Sequence, residues 1–224
     1  YYNREHLNFI LFDVLKADTV TQFEYFADHD KEALQMYIDA TDQFAKEYLF
    51  PHLVEMDRKQ PELVNGRIQV HPIHKDIMRI SGENGWISIL ANKEVGGLQM
   101  PAVFSTAASF ILGAANYSGC VFVGLTMGAA HLTEAFADKK YHDVYLPKMF
   151  AGLWQGTMAL TEPGAGSSLS DVVTTAEKQE DGTYKIVGQK IFISCGDSDA
   201  VDNVVHLLLA RVKGAPAGIK GISM

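Results

Sequence analysis

Apolar residues recur at helical spacing through the first two-thirds of the chain, then give way to short runs of strand character. Leu34, Ile38, Thr41, Ala45 and Tyr48 share one helical face, and Asp28 or Asp30 is placed to cap it. Pro51 predicts a stop or a bend. Pro72 stands where a first helical turn would begin; Ile73, Ile77 and Ile80 form the next stripe, and Gly85 closes it. The stretch NKEVGGLQM is predicted as loop. Pro101 opens a run with Phe104, Ala108, Ile111, Leu112 and Ala115 on one side. A separate helix of small residues is predicted over 121–137, and residues 138–150 are predicted helical in part, around Pro147.

Near Trp154 the period changes. QGTMALT reads as a strand. VVTTAEKQ and TYKIV flank Glu180-Asp181-Gly182, a hairpin signal, and KIFIS and VVHLLLARV follow as strands rich in β-branched and aromatic residues. The predicted class is α+β: an N-terminal all-α domain, then a β-barrel or β-sandwich domain, with the boundary at 150–155. No internal repeat is visible. About five strands are few for a barrel or sandwich that must cover its own edges, and GISM opens like another strand, so a truncated β domain is expected.

Composition narrows the functional classes only slightly. The 224 residues are 47% hydrophobic and 21% charged, with net charge −8, a poor match to nucleic acid or an anionic membrane. Cys120 and Cys195 are the two cysteines, too few for a disulfide framework, and a reducing, cytoplasmic setting is expected. YYNREHLNFILFDVL is interrupted by charges and lacks a signal peptide's cleavage pattern. The apolar region 104–132 is rich in Gly, Ala, Ser, Asn and Thr, and is expected to be buried helix.

Two stretches carry candidate chemistry. In Met158-Ala-Leu-Thr-Glu-Pro-Gly-Ala-Gly-Ser-Ser168 a strand ends at Thr161 in a glycine-rich turn. Such a turn admits close approach to its backbone, and its amides can bind an anion; a tight turn that merely requires glycine is the plainer alternative. The turn lacks P-loop spacing, and no Lys follows its glycines. In Gly188-Gln-Lys-Ile-Phe-Ile-Ser-Cys-Gly196, Phe192 and Ser194 would share a strand face, an aromatic ring beside a hydroxyl, suited to a flat heterocycle. An ordinary half-buried strand is the alternative there. His71 and His74 lie three apart without further ligands at suitable spacing, so no metal site is expected. His131 reads as a core histidine, and Arg211 and Lys213 as surface charge.

LTEPGAGSS followed by GQKIFIS, after an all-helical region ending ADKKYHDVYLPKMFAG, resembles the acyl-CoA dehydrogenase family over essentially the whole chain. NREHLNFILFDVL is similar to the extra N-terminal segment of a larger subgroup that includes broad-range and 3-methylmercaptopropionyl-CoA dehydrogenases. The resemblance implies an extension over 1–30, a helical domain over 31–153 and a β middle domain over 154–224, without the C-terminal four-helix domain. It implies FAD as cofactor, an acyl-CoA substrate, an electron-transfer flavoprotein as acceptor, and a homo-oligomer. It implies that Met158, Leu160, Thr161, Gly166, Ser167, Phe192, Ile193 and Ser194 border the flavin, and that Ser167 also borders acyl-CoA. Phe192 stands where the family usually has Trp, Ser194 where it has Thr, and Ser168 where Asp is common. The resemblance implies that the base is a Glu of the C-terminal domain, so no catalytic residue is expected in this chain, and Glu162 is expected to be structural. An acyl-CoA oxidase, a flavin-containing DNA-binding alkylation-response homologue, and an inactive fragment are the alternatives.

Overall fold

A computed structural model describes residues 1–224. Short helical turns, among them α1 (Arg4–Asn8), precede the helix α2 (Lys31–Phe44). Of the two candidate caps Asp30 is used: its carboxylate accepts from the Ala33 amide at 2.7 Å. Leu34 and Ile38 are fully buried. Beyond α2 the helix loosens into a wider turn, then tightens at Pro51 before α3 (Leu53–Arg58), so the proline bends the chain without ending it. α4 (Ile73–Glu83) begins just after Pro72 and buries Ile77 and Met78; Gly85 then takes φ +75°, a left-handed turn that glycine adopts freely.

One element lies outside the expectations. Strands β1 (Glu62–Val64) and β2 (Arg67–Gln69) pair antiparallel within the helical region. Their turn residues Asn65 and Gly66 have φ of 51° and 81°, the conformation that Asn-Gly favours in two-residue hairpins.

The predicted pair of helices after Pro101 is one element, α5 (Ala102–Phe136), broken at a single residue. Asn116 has φ −167° and ψ 96°. Its side-chain oxygen accepts from the Gly119 amide at 3.1 Å, an N-cap for the second half, and its amide donates to the Leu49 carbonyl at 3.1 Å. A buried Asn thus supplies the bonds that the interrupted ladder loses. Phe104, Ile111 and Ala115 from α5 pack with Leu34, Ile38, Ile77 and Met78 in the core. The Trp86 ring stacks on Phe44 at 4.7 Å, and its indole N–H donates to the buried Thr41 hydroxyl at 2.9 Å. α6 (Lys139–Phe150) keeps Pro147 inside it.

The β region begins with β3 (Trp154–Ala159) and continues with β4 (Thr175–Lys178), β5 (Tyr184–Val187), β6 (Asn203–Leu208), β7 (Ala210–Val212) and β8 (Ile222–Ser223). β3 and β6 form a parallel pair, and the other four form a sheet in the order β5-β4-β7-β8. The Asp181-Gly182 hairpin forms between β4 and β5. Two strand expectations are corrected. VVHLLLARV breaks at Leu209, so β6 and β7 serve different sheets. KIFIS is not a strand: Phe192 within it and Cys195 just after it both have φ 55°, outside the range of a regular strand.

Candidate flavin-binding wall

The site is built on β3, and α5 fixes where β3 lies. The Gly156 amide donates to the buried Thr126 hydroxyl at 3.1 Å, and a Cβ on Gly156 would stand 2.4 Å from the Ala129 Cβ. Only glycine lets helix and strand approach this closely. Alternation along the strand then buries Gln155, Thr157 and Ala159, while Met158, on the opposite face, is open to solvent. Beside Met158 runs a groove bounded by Gly124, Gly128 and Leu132 of α5 and by Leu207 of β6.

Past β3 the chain makes the EPGAG turn. The Glu162 amide donates to the Ala165 carbonyl at 2.7 Å, and the Ala165 amide returns a bond at 3.2 Å. Gly164 and Gly166 are not left-handed, and a Cβ at either would meet nothing within 4 Å. Neither local conformation nor a protein neighbour therefore demands these glycines, and the open space suits close approach of a ligand. Ser167 is exposed just beyond them.

The second motif lies against the first. The Ile191 amide donates to the Thr161 carbonyl at 2.9 Å. Lys190 Nζ donates to the Leu160 carbonyl and to Glu162 Oε1, both at 2.8 Å. At the far end, the fully buried Gln155 side chain donates to the Cys195 carbonyl. The segment 190–195 therefore runs antiparallel to β3 without being a strand. Phe192 stands 87% exposed and Ser194 is exposed, whereas Ile193 lines a separate cavity with His74 and Phe122. The two motifs are thus brought together, with Met158, Phe192 and Ser194 at the surface and Ile193 turned elsewhere.

Glu162, expected to be structural, joins the two motifs together with Lys190, which sequence reasoning did not single out. Glu162 and Lys190 side chains are 1% and 9% exposed, a buried ion pair. The Glu162 carboxylate also accepts from the Val173 and Thr174 amides at 2.7 and 3.1 Å. Burial alone would raise its pKa; the bonds from Lys190 and Thr174 and from the Val173 amide outweigh it and hold the carboxyl down at about 2. A carboxylate so committed is a turn-builder, not a base. One charge of each sign in otherwise uncharged motifs was the signal available in the sequence.

A second cluster, His52, Glu55 and His71, has its ligand atoms within 4.8 Å of one another. His71 Nδ1 accepts from the Ile73 amide at 3.3 Å, which puts the ring proton on Nε2, facing Glu55 Oε2 at 3.3 Å. A metal would need that proton removed and Nδ1 protonated against an N–H. The geometry favours a hydrogen-bonded junction between α3 and α4.

The family described as acyl-CoA dehydrogenase, N-terminal domain, matches residues 31–153, more than half of the chain. A 3-methylmercaptopropionyl-CoA dehydrogenase of Ruegeria pomeroyi is 37% identical over 86% of this chain and 35% of its own length. A broad-specificity linear acyl-CoA dehydrogenase of Mycobacterium tuberculosis is 34% identical over 96% of this chain and 36% of its own. The crystal structure of an acyl-CoA dehydrogenase from Geobacillus kaustophilus superposes with TM-score 0.69 at 26% identity, covering 86% of this chain and 47% of that one. The chain thus spans about a third of the length of each of these two relatives.

Proposed function

This chain belongs to the acyl-CoA dehydrogenase family, and we propose that it supplies the flavin wall of an enzyme that dehydrogenates an acyl-CoA thioester between its α and β carbons. The observation that carries this reading is the docking of the two motifs through the Ile191–Thr161 backbone bond, beside an open glycine turn. FAD, when bound, supplies the two-electron acceptor for hydride leaving the β carbon.

The chain's own residues then have separable tasks. Met158 and Leu160 offer an apolar surface that keeps water from the reacting atoms. The Thr161 carbonyl is used by Ile191, which leaves its hydroxyl as the group to meet a polar ring edge. Ser194 offers a second hydroxyl and Phe192 an aromatic face. Gly166 and Ser167 border the space in which a pyrophosphate would meet turn amides, and Ser167 also borders acyl-CoA. Glu162 is consumed by three donors, so the base that removes the α proton is not assigned to this chain. An electron-transfer flavoprotein is the acceptor this reading implies.

The test uses the full-length protein. Its purified form should show a flavin band near ~450 nm that an acyl-CoA bleaches without oxygen. Thr161→Val and Ser194→Ala should each slow that bleaching by about tenfold or more, the cost of one well-placed hydrogen bond. Unchanged rates in both would mean that the flavin edge lies elsewhere.

A further inference from the structure

The Glu162–Lys190 pair is more than a turn fastener, because of what each partner is joined to. Glu162 belongs to the glycine turn, and its carboxylate also holds the amides of Val173 and Thr174 at the entry to β4. Lys190 opens the segment that carries Phe192 and Ser194, and reaches both Glu162 and the Leu160 carbonyl at 2.8 Å. That segment gains no regularity from a sheet, since Phe192 and Cys195 are left-handed. Gln155 holds its other end through the Cys195 carbonyl. Between these two anchors Phe192 and Ser194 project from the protein surface.

We propose that Lys190, with Glu162, is a positioning pair that sets the placement of Phe192 and Ser194 relative to β3, and so the geometry of the flavin wall. This rests on the flavin reading above. The pair touches no reacting atom in this scheme; it acts through the two segments it fastens. A buried ammonium with two oxygen acceptors is directional, and an apolar residue of similar volume keeps the packing but not the direction.

The experiment compares full-length wild type with Lys190→Met, Lys190→Arg and the double variant Glu162→Gln/Lys190→Met. Leu34→Ala, at a fully buried position of helix α2 outside both motifs, serves as a control for general destabilisation. Flavin per protein, visible circular dichroism of the bound flavin, and kcat and KM for an acyl-CoA are measured below each melting temperature. Lys190→Met and the double variant should alter the flavin dichroism and lower kcat on the order of tenfold or more, with KM changed less. Lys190→Arg should recover most of both. Leu34→Ala should melt earlier with an unchanged flavin spectrum. Wild-type dichroism and kcat in Lys190→Met or the double variant would overturn the positioning role alone. Equal spectral loss in Leu34→Ala would reduce the pair to general stability and overturn it as well. A colourless wild type would overturn the flavin reading itself, and the positioning role with it.

Discussion

At the scale of single residues, His74 and Glu162 are two of the buried groups through which the fold answers to acid. His74 is 4% exposed, packs on Phe122 at 4.2 Å between ring centres, and has an unpaired Nδ1. Burial first, then the neighbouring His71, push its pKa from 6.5 down to about 4, with Asp199 opposing. Between those values the unfolded chain binds a proton that the folded one excludes. The His74 contribution is therefore complete above pH 6.5 and is lost as pH falls toward 4, by roughly 3 kcal/mol. Glu162 acts lower: its contribution is complete above 4.5 and is lost as pH falls toward 2. Urea unfolding of His74→Leu at pH 7 and pH 5 should show a flatter pH dependence than wild type; an identical slope would remove His74 from this role. Gly156→Val, which drives a side chain into Ala129, should cost about 1–3 kcal/mol or more in the same measurement.

At the scale of elements, the broken helix α5 is the informative case. Asn116→Ala would delete the cap on Gly119 and leave the Leu49 carbonyl without its donor. A loss of about 1–3 kcal/mol is expected in thermal or urea melts, and no loss would show that the break needs no cap. The sequence pattern loses phase between Ala115 and Val121, which reads as a gap between helices; that one side chain could bridge it was not visible in spacing. The Asp181-Gly182 hairpin was legible because its flanks alternate. The Asn65-Gly66 hairpin has the same chemistry but strands of three residues each, too short to show a period. KIFIS has strand composition, yet the bonds of Lys190 at one end and of Gln155 to the Cys195 carbonyl at the other fasten it in a path with positive φ at Phe192 and Cys195. Tertiary bonds, invisible in composition, decided that segment.

At the scale of the whole molecule, burial is uneven. The helical region encloses a core of fully buried side chains, whereas Tyr184, Ile186, Val187 and Val173 in and near the four-stranded sheet are exposed. β5 is an edge of that sheet, and an exposed apolar edge invites self-association. The 224-residue chain should scatter more light with concentration than an Ile186→Lys variant of equal melting temperature; equal scattering would acquit this edge. The order of regions, helices first and sheets after, was legible because the repeat changes at Trp154. The two separate sheets were not, since pairing between distant strands leaves no local mark.

The small hairpin β1–β2 has one further consequence. The Ile68 and Val70 amides donate to the Asp197 and Asp199 carboxylates at 2.9 and 3.0 Å, and Arg67 reaches the Ser198 carbonyl at 2.7 Å. A ribosome releases the hairpin long before it makes those partners. During synthesis the early segment must wait, half-satisfied, until some 130 further residues have emerged. A cut at the boundary between helices and sheets would therefore leave the first piece with a loose flap, and proteolysis of a piece ending at residue 153 should begin between residues 60 and 70.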